Sequence, residues 1–210
     1  MKIEKISITN EGYIRCGSNF YSTHDVLQND CNYNFTPGAH KLYGEIDSGV
    51  WGISYLLSMY NCKKQDFVLF KPPEVVVNNI TISLDEFMKY SCYMDESYPL
   101  FSEHSSVKKL ITRGIKKNGS SHSPDDIRNL FHIDQERFER PLSEIGNVRF
   151  RAMAAIGYSY GKEVFCFPWL SEMRFQYYHM NISMLLEILS SLNKISILPL
   201  GQDMNFLKNK

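Results

Sequence analysis

The chain has 210 residues, of which 43% are hydrophobic and 22% charged, so it is long enough and apolar enough to bury one sizeable core. This composition excludes collagen-like, disordered and small disulfide-stapled proteins. The formal charge is zero, from 23 basic and 23 acidic side chains. A nucleic-acid partner is therefore not expected, because the overall basic charge that supplies non-specific affinity for DNA or RNA is missing.

Cysteine usage and hydropathy indicate a cytoplasmic protein. The five cysteines are widely scattered, without a CxxC pair or a histidine nearby at metal-ligand spacing, so we expect reduced thiols and no metal site. Residues 1–16 contain no apolar block of the kind found in a signal peptide. No run approaches the roughly 20 apolar residues that cross a bilayer. We therefore expect any membrane association to be peripheral, at the inner face of the cell membrane and through a membrane partner.

The first part of the chain shows the pattern of short antiparallel strands. Apolar and polar residues alternate there over short runs, which is typical of strands with one buried face. Pro72 and Pro73 separate two of the later runs, because proline cannot donate to a strand ladder. The predicted strands cover residues 3–8, 13–16, 26–35, 66–70, 74–77 and 79–83.

A strand, a glycine-containing loop and a helix follow Pro37-Gly38 in the sequence. Such an arrangement commonly seats phosphates, because the loop N–H groups and the positive end of the helix converge there. Gly44 and Gly49 have the spacing of a P-loop, but Val50 and Trp51 stand where that motif has Lys and Ser or Thr. Two glycines without those residues also fit a purely structural turn.

The rest of the chain changes to a mixture of helices and buried strands. The pattern turns helical from about Leu84, and Ser121 or Ser123 can cap one of these helices. Strand and helix alternate in the second half, which is typical of a parallel sheet with helices on its faces. Helices are predicted at residues 50–59, 105–117, 124–131, 148–158 and 182–192, and strands at 39–43, 163–167 and 194–198.

The order of these elements resembles the nucleotide-binding domain of ATP-binding cassette (ABC) proteins over nearly the whole chain. Residues 26–38 with the following glycine loop resemble its opening, and residues 99–110 resemble the segment after its Q-loop. Residues 142–146, with the sequence LSEIG and a small-residue helix behind them, resemble its LSGGQ signature. The remaining matches are residues 164–167 to its Walker B strand and residues 195–198 to the strand before its switch histidine.

The resemblance implies an α/β, P-loop NTPase-like ABC ATPase fold. In that fold a mixed parallel core sheet is joined by an N-terminal antiparallel β-subdomain and a helical subdomain. A single domain would span residues 1–210, with the core and β-subdomain at about 1–83 and 160–210 and the helical subdomain at about 84–159.

The resemblance also places the family's phosphate-binding positions on this sequence. The degenerate P-loop comprises Gly44, Ser48, Gly49, Val50 and Trp51. In the family, the Walker A lysine neutralises the phosphates and the following Ser or Thr holds magnesium. Val and Trp can do neither. We therefore predict no cofactor, with ATP and magnesium bound weakly at most.

The hydrolytic positions are replaced as well. The Walker B aspartate and the catalytic glutamate fall on Pro168 and Trp169, which can neither bind a metal nor accept a proton from water. The switch histidine falls on about Leu200, and the D-loop aspartate on about Phe175. We therefore expect no catalytic residue and no metal ligand on this chain.

The signature is only partly kept. In the family this loop grips the γ-phosphate of nucleotide bound to the opposite subunit, and the carboxylate of Glu144 would repel that phosphate. A structural alternative is that Ser143 simply caps a helix. The positional matches are Leu142, Ser143, Glu144 and Gly146 for the signature, Asp95 or Glu96 for the Q-loop glutamine, and Tyr21 or Phe20 for the A-loop aromatic.

These positions imply a hydrolysis-deficient ABC-type subunit of a transporter, acting as the structural or regulatory half of a dimer docked to a membrane permease. Its partners would be the permease and another ABC nucleotide-binding subunit, in a homodimer or a heterodimer. The alternative is a soluble ABC-fold binding or regulatory protein that does not use nucleotide, with Trp51 and Trp169 filling the old cleft. An unrelated enzyme is disfavoured, because the six histidines belong to no HExxH or Cys/His signature.

Overall fold

The computed structural model describes residues 2–12, 14–16, 26–28, 31–44, 50–102 and 104–201. The strands within these ranges are β1 (Ile6–Asn10), β2 (Ile14–Cys16), β3 (Val26–Gln28), β4 (Cys31–Phe35), β5 (Gly38–Tyr43), β6 (Phe67–Leu69), β7 (Glu74–Val77), β8 (Ile80–Ile82), β9 (Ser91–Tyr93), β10 (Val164–Cys166) and β11 (Ile195–Leu200). The α-helices are α1 (Val50–Met59), α2 (Leu84–Phe87), α3 (Val107–Asn118), α4 (Pro124–Leu130), α5 (Gln135–Glu139), α6 (Arg149–Ser159) and α7 (Glu172–Ser191).

Four strands form a parallel sheet in the order β5-β11-β10-β9. Gly38 is in register with Ile195 at the start of β5 and β11. Ile195 is in turn in register with Val164, which is in register with Ser91. The four strands therefore start together at one edge of the sheet and end together at the other. The parallel sheet predicted for the second half of the chain is confirmed, and two of its strands, β5 and β9, come from the first half.

Helices cover this sheet. Every residue of β10 and β11 is buried, and because successive side chains point to opposite faces, both faces of the sheet are covered. Helix α1 contacts β9, β10 and β11, whereas α7 contacts β5 and β11. All positions of α1 after Val50 are buried, as expected for a helix that is apolar on all sides.

Two antiparallel sheets account for the remaining strands, in the orders β4-β1-β7-β8 and β3-β2-β6. In β1 the residues alternate between buried and half-buried positions, with Ile6 and Ile8 in the core. This is the pattern expected where one face packs inward. The antiparallel strands predicted for the first part of the chain are thus confirmed.

Helices α3 to α6 lie between β9 and β10 in the chain. The side chain of Ser123 accepts a hydrogen bond from the Asp126 N–H, and the Asp126 carboxylate accepts one from the Ser123 N–H, which confirms Ser123 as the cap of α4. Helices α3 and α6 cross closely at Gly114. A Cβ at that position would lie 2.0 Å from the Ser159 hydroxyl oxygen, so a glycine is required there.

Several elements differ from the sequence-based prediction. Residues 26–35 hold two strands of different sheets, β3 and β4, where one strand was predicted, and helix α5 was not predicted. Helix α7 begins at Glu172, capped by Ser171, whereas the apolar spacing predicted a helix only from residue 182. Exposed apolar residues in its first half, such as Met173 and Tyr177, blur the amphipathic period there. Strand β9 lies in a region predicted to be helical, because three residues are too few to show a strand period. Within the described ranges, no helix combines the length and hydropathy that a bilayer crossing requires.

A buried hydrogen bond fastens α1 to the sheet, and its loss should be measurable. The Ser54 hydroxyl donates to the Phe167 carbonyl oxygen at 2.5 Å, and Ser54 is fully buried. We expect Ser54→Ala to lower the free energy of unfolding by about 1–3 kcal/mol, because the carbonyl loses its buried donor. Urea denaturation should show this, with Ser190→Ala on the exposed face of α7 as the matched control. Equal midpoints for the two variants would contradict the prediction.

The thiols should differ sharply in reactivity. Burial raises the pKa of the Cys92 thiol to about 12 and raises that of Cys166 as well, whereas Cys62 is exposed. Because the thiolate is the reactive form, iodoacetamide at neutral pH should modify Cys62 in the folded protein and reach Cys92 and Cys166 only after denaturation. Peptide mass spectrometry reads out each site. Native modification of Cys92 as fast as that of Cys62 would show that the thiol is not enclosed.

Candidate functional site

The carboxyl ends of the four parallel strands bring several predicted positions to one edge of the sheet. Open α/β sheets bind ligands at this edge. Gly44 follows β5, Pro168 and Trp169 follow β10, and Leu200 ends β11 beside them. The segment after β9 carries Asp95 and Glu96, the Q-loop positions. Ser48, Gly49 and Tyr21 lie outside the described residues.

Trp169 makes a direct link across this edge. Its indole N–H donates to the Gly44 carbonyl oxygen at 3.1 Å, while the Gly44 N–H donates to the Leu200 carbonyl oxygen at 2.9 Å. A Cβ on Gly201 would lie 3.6 Å from the indole ring, so the ring also packs along the end of β11. The indole thus spans the ends of β10, β11 and β5, and a large apolar ring contacts the beginning of the glycine loop.

Trp51 belongs to the core. Only 1% of its surface is exposed, and its ring lies 5.7 Å from that of Tyr55. Tyr55 in turn contacts the rings of Phe67 and Tyr93. An aromatic cluster therefore occupies the interior around the first turn of α1. Val50, the first residue of that helix, is half-buried and offers no charge or hydroxyl to a phosphate.

The Q-loop positions are engaged in local contacts. The Asp95 carboxylate accepts hydrogen bonds from the Ser97 N–H and hydroxyl, at 3.0 and 2.8 Å. The Glu96 carboxylate forms an ion pair with the Arg149 guanidinium, and the same guanidinium donates to the Ser143 carbonyl oxygen at 3.4 Å. Arg149, at the start of α6, therefore connects the segment after β9 with the signature-like loop. The sequence carried no signal for this link, because its three members are far apart along the chain.

The signature-like residues form a tight structural turn. Leu142–Glu144 and Gly146–Val148 are two short 3-10 helices, Leu142 is fully buried and Gly146 has a φ of 61°. Helix α6 begins at Arg149 after Val148, and no side-chain cap is made. The alternative in which Ser143 caps a helix is therefore wrong, because Pro141 precedes the first of these turns and Val148 precedes the helix.

The cavity beside Asp95 and Glu96 is small. A cavity of about 50 Å³ is lined by charged groups from three segments, among them Asp95, Glu96, Arg149 and Arg174, with Pro168 on its wall. Sites for nucleotide-sized ligands enclose roughly 300 Å³ or more. This cavity can hold water or a small ion but not a nucleotide base. Within the described part of the chain, no three His, Cys, Asp or Glu side chains are grouped as metal ligands.

Three solved structures of ABC proteins share this fold. A protein from Pyrococcus furiosus, described as an ABC transporter ATP-binding protein, matches 97% of this chain and 94% of its own, with a TM-score of 0.62 and 14% identity. A dimeric ATP-binding cassette in a post-hydrolysis state, bound to ADP and Pi, matches 94% of this chain and 89% of its own, with a TM-score of 0.59 and 12% identity. A bacterial Atm1-family ABC exporter with ATP bound matches 96% of this chain and 35% of its own, with a TM-score of 0.57 and 8% identity.

These likenesses establish the fold. No protein-family model and no curated protein matches the sequence. The ABC ATPase fold that the order of elements implied is confirmed by the structural matches, which cover nearly the whole chain. The predicted mixed α/β architecture, with one parallel sheet, antiparallel sheets and helices, is confirmed with it.

The link between Trp169 and Gly44 can be tested with Trp169→Phe. This variant loses the N–H donor and part of the ring packing, so we expect the free energy of unfolding to fall by at least about 1 kcal/mol, the net value of one hydrogen bond. Urea denaturation measures it.

The variant retains Trp51 alone, which is 1% exposed, so its fluorescence emission should lie to the blue of the wild type. Emission at the wavelength of solvated tryptophan would contradict the placement of Trp51.

Proposed function

We propose that this protein is a hydrolysis-deficient ABC-type subunit. It acts as the structural or regulatory half of a dimer with another ABC nucleotide-binding subunit, docked to a membrane permease at the inner face of the cell membrane. The main support is the contact of Trp169 with Gly44 at the carboxyl edge of the parallel sheet. The fold is that of an ABC ATPase, while an indole stands beside the loop where hydrolysis needs a carboxylate.

The chemistry of nucleotide hydrolysis supports this proposal. P-loop enzymes work almost entirely by positioning and by charge stabilisation of the phosphates. At the corresponding positions this chain has Val50, Trp51, Pro168 and Trp169, none of which carries a charge. A charge-assisted hydrogen bond contributes about 1.5–3 kcal/mol, so each one missing weakens phosphate binding about tenfold or more. Hydrolysis additionally lacks a base to accept a proton from water.

Pairing and docking are supported by the kinds of protein that share the fold. One structural match is a dimeric ATP-binding cassette and another is an ABC exporter. A subunit without nucleotide chemistry can still contribute surface to such an assembly. In this proposal the partner subunit supplies hydrolysis, and residues of about 84–159 form the helical lobe that faces the permease together with the core.

A second candidate is a soluble ABC-fold protein repurposed for binding or regulation without nucleotide. The observation that favours it is the contact of an indole with the start of the glycine loop. The Trp169 indole is fixed against Gly44, and the neighbouring cavity measures only about 50 Å³. The two candidates share the absence of hydrolysis, and they differ in whether ATP promotes assembly with another cassette subunit.

Both candidates predict that this chain does not bind or hydrolyse ATP as an active ABC ATPase does. Isothermal calorimetry with magnesium and ATP tests this prediction. We expect no binding by the purified wild type at micromolar concentrations, because the phosphate charges have no fixed counter-charge. Val50→Lys restores the missing cation at a half-buried position and should gain measurable affinity. Val50→Met is the matched control without charge. Trp51 is left unchanged, because removing a buried tryptophan costs about 3–5 kcal/mol of stability. Micromolar binding or ATP hydrolysis by the wild type would overturn the proposal.

Assembly separates the two candidates. The transporter proposal predicts that the protein co-elutes with a catalytically active cassette subunit of its own cell in the presence of ATP, and less so without it. Size-exclusion chromatography with light scattering measures the masses. Assembly that ignores ATP, or no assembly, supports the repurposed protein instead.

A further inference from the structure

A second cavity, of about 280 Å³, lies at the amino edge of the parallel sheet. Lys89 comes two residues before β9 and Lys162 two residues before β10, and these strands start together. The candidate site described above is at the other edge. We call this space the lysine cavity, and its lining residues are Lys89, Leu100, Lys117, Asn118, Tyr160 and Lys162.

The ends of two helices build one wall of the lysine cavity. Asn118 is the last residue of α3, and Tyr160 directly follows α6. A Cβ on Gly161, which has a φ of 75°, would lie 2.5 Å from the Asn118 amide oxygen, so the two helix ends are in close contact. The Lys117 ammonium lies 5.8 Å from the centre of the Tyr160 ring. The packing of α3 against α6 therefore sets the shape of this wall.

Lys162 is a buried lysine without a carboxylate partner. Only 8% of its surface is exposed. Its ammonium donates to the carbonyl oxygens of Met88 and Lys89, both at 3.0 Å, and these carbonyls orient the charge without neutralising it. Lys162 belongs to none of the ion pairs formed among the described residues. Buried lysines are almost always paired with an opposite charge.

The other charges of the lysine cavity have the same sign. Three of its lining residues are lysines and none is Asp or Glu. In the part of the chain that the structure describes, Lys89 and Lys117 form no ion pair either. Burial lowers the pKa of the Lys162 ammonium, and the positive charge of Lys117 lowers it further. An anion between these groups would supply the opposite charge that the protein itself does not.

The chemistry of the lining favours a phosphate group. At neutral pH a phosphate monoester carries about two negative charges on one compact group, and lysine is a common phosphate ligand in proteins. The Asn118 amide and the Tyr160 hydroxyl are hydrogen-bond donors as well. Leu100 and the Tyr160 ring add an apolar wall for a short carbon chain. The volume is near the lower end of small-molecule sites, so the ligand is small.

We propose that the lysine cavity is a binding site for a phosphate group, that of a small phosphate ester or of the free ion. Lys89, Lys117 and Lys162 are its counter-charges, with the buried Lys162 at the base. The site uses none of the positions that the ABC family uses for nucleotide. It is therefore independent of the function proposed above.

Titration of the isotopically labelled protein followed by NMR, at constant ionic strength, tests the proposal. With glycerol 3-phosphate we expect saturable shifts of amide signals at the lining residues, with a dissociation constant of about 0.1–1 mM. Glycerol should cause no shifts. Succinate, which spreads its two charges over separate carboxylates, should bind several-fold more weakly. Tighter binding of inorganic phosphate than of the ester would assign the site to the free ion.

Two sets of variants test the assigned residues. The exposed pair Lys89→Gln with Lys117→Gln should weaken binding of glycerol 3-phosphate about threefold to tenfold, because two exposed counter-charges are lost. The matched control is Lys109→Gln with Lys116→Gln, the same charge change at exposed residues of α3 outside the cavity lining, and it should bind as the wild type does. Lys162→Met should weaken binding at least tenfold, with thermal unfolding as the check that it is folded.

Several results would overturn the proposal. These are a wild type without saturable shifts, shifts away from the lysine cavity, and equal weakening in the exposed pair and its control. Succinate binding as tight as that of the phosphate ester would overturn the choice of phosphate. The ATP calorimetry above is done at micromolar concentrations, at which this site stays empty. A failure of one experiment therefore does not imply a failure of the other.

Discussion

The register of four parallel strands is the constraint on which the candidate site depends. Since β5, β9, β10 and β11 start in register, their ends lie at one edge, and the residues that follow them are brought together regardless of their distance along the chain. Gly44 and Trp169 are neighbours for this reason. Both faces of β11 are buried, so a slip by one residue would move each side chain into the opposite layer and disrupt the packing on both faces.

At the same edge, two tryptophans make packing contacts. Trp51 is part of an aromatic cluster with Tyr55 and Phe67, so it contributes buried apolar surface to the core. Trp169 contributes ring packing and a single hydrogen bond to a backbone carbonyl. These contacts stabilise the carboxyl edge of the sheet. The side chains therefore serve the packing of the scaffold.

Helix α7 has one face in the core and one face exposed to solvent. Its inner face packs against β5 and β11. Its outer face exposes the large apolar side chains of Met173, Tyr177 and Met180 to solvent. An apolar helix face that is not needed for folding carries a cost in solubility unless something covers it. The Arg151 guanidinium contacts the Met184 sulfur at 3.4 Å and donates to the carbonyl oxygen of His132, two residues after α4, at 2.7 Å. One buried side chain of α6 therefore links α7 to the segment after α4.

The sequence by itself determined the element order, most helix and strand positions, and the absence of charge at Val50, Trp51, Pro168 and Trp169, because local periodicity, caps and residue identity are properties of short segments. It gave Ser121 or Ser123 as the cap of α4, of which the structure has Ser123, and it placed α1 at residues 50–59. It missed β9 and the first half of α7, since three residues show no period and exposed methionines obscure one. Only the tertiary structure decided that Trp169 donates to Gly44, that Trp51 is enclosed, and that Arg149 bridges Glu96 and Ser143. Those contacts join residues distant in the chain, and they exist only once the strands are in register and the helices are packed.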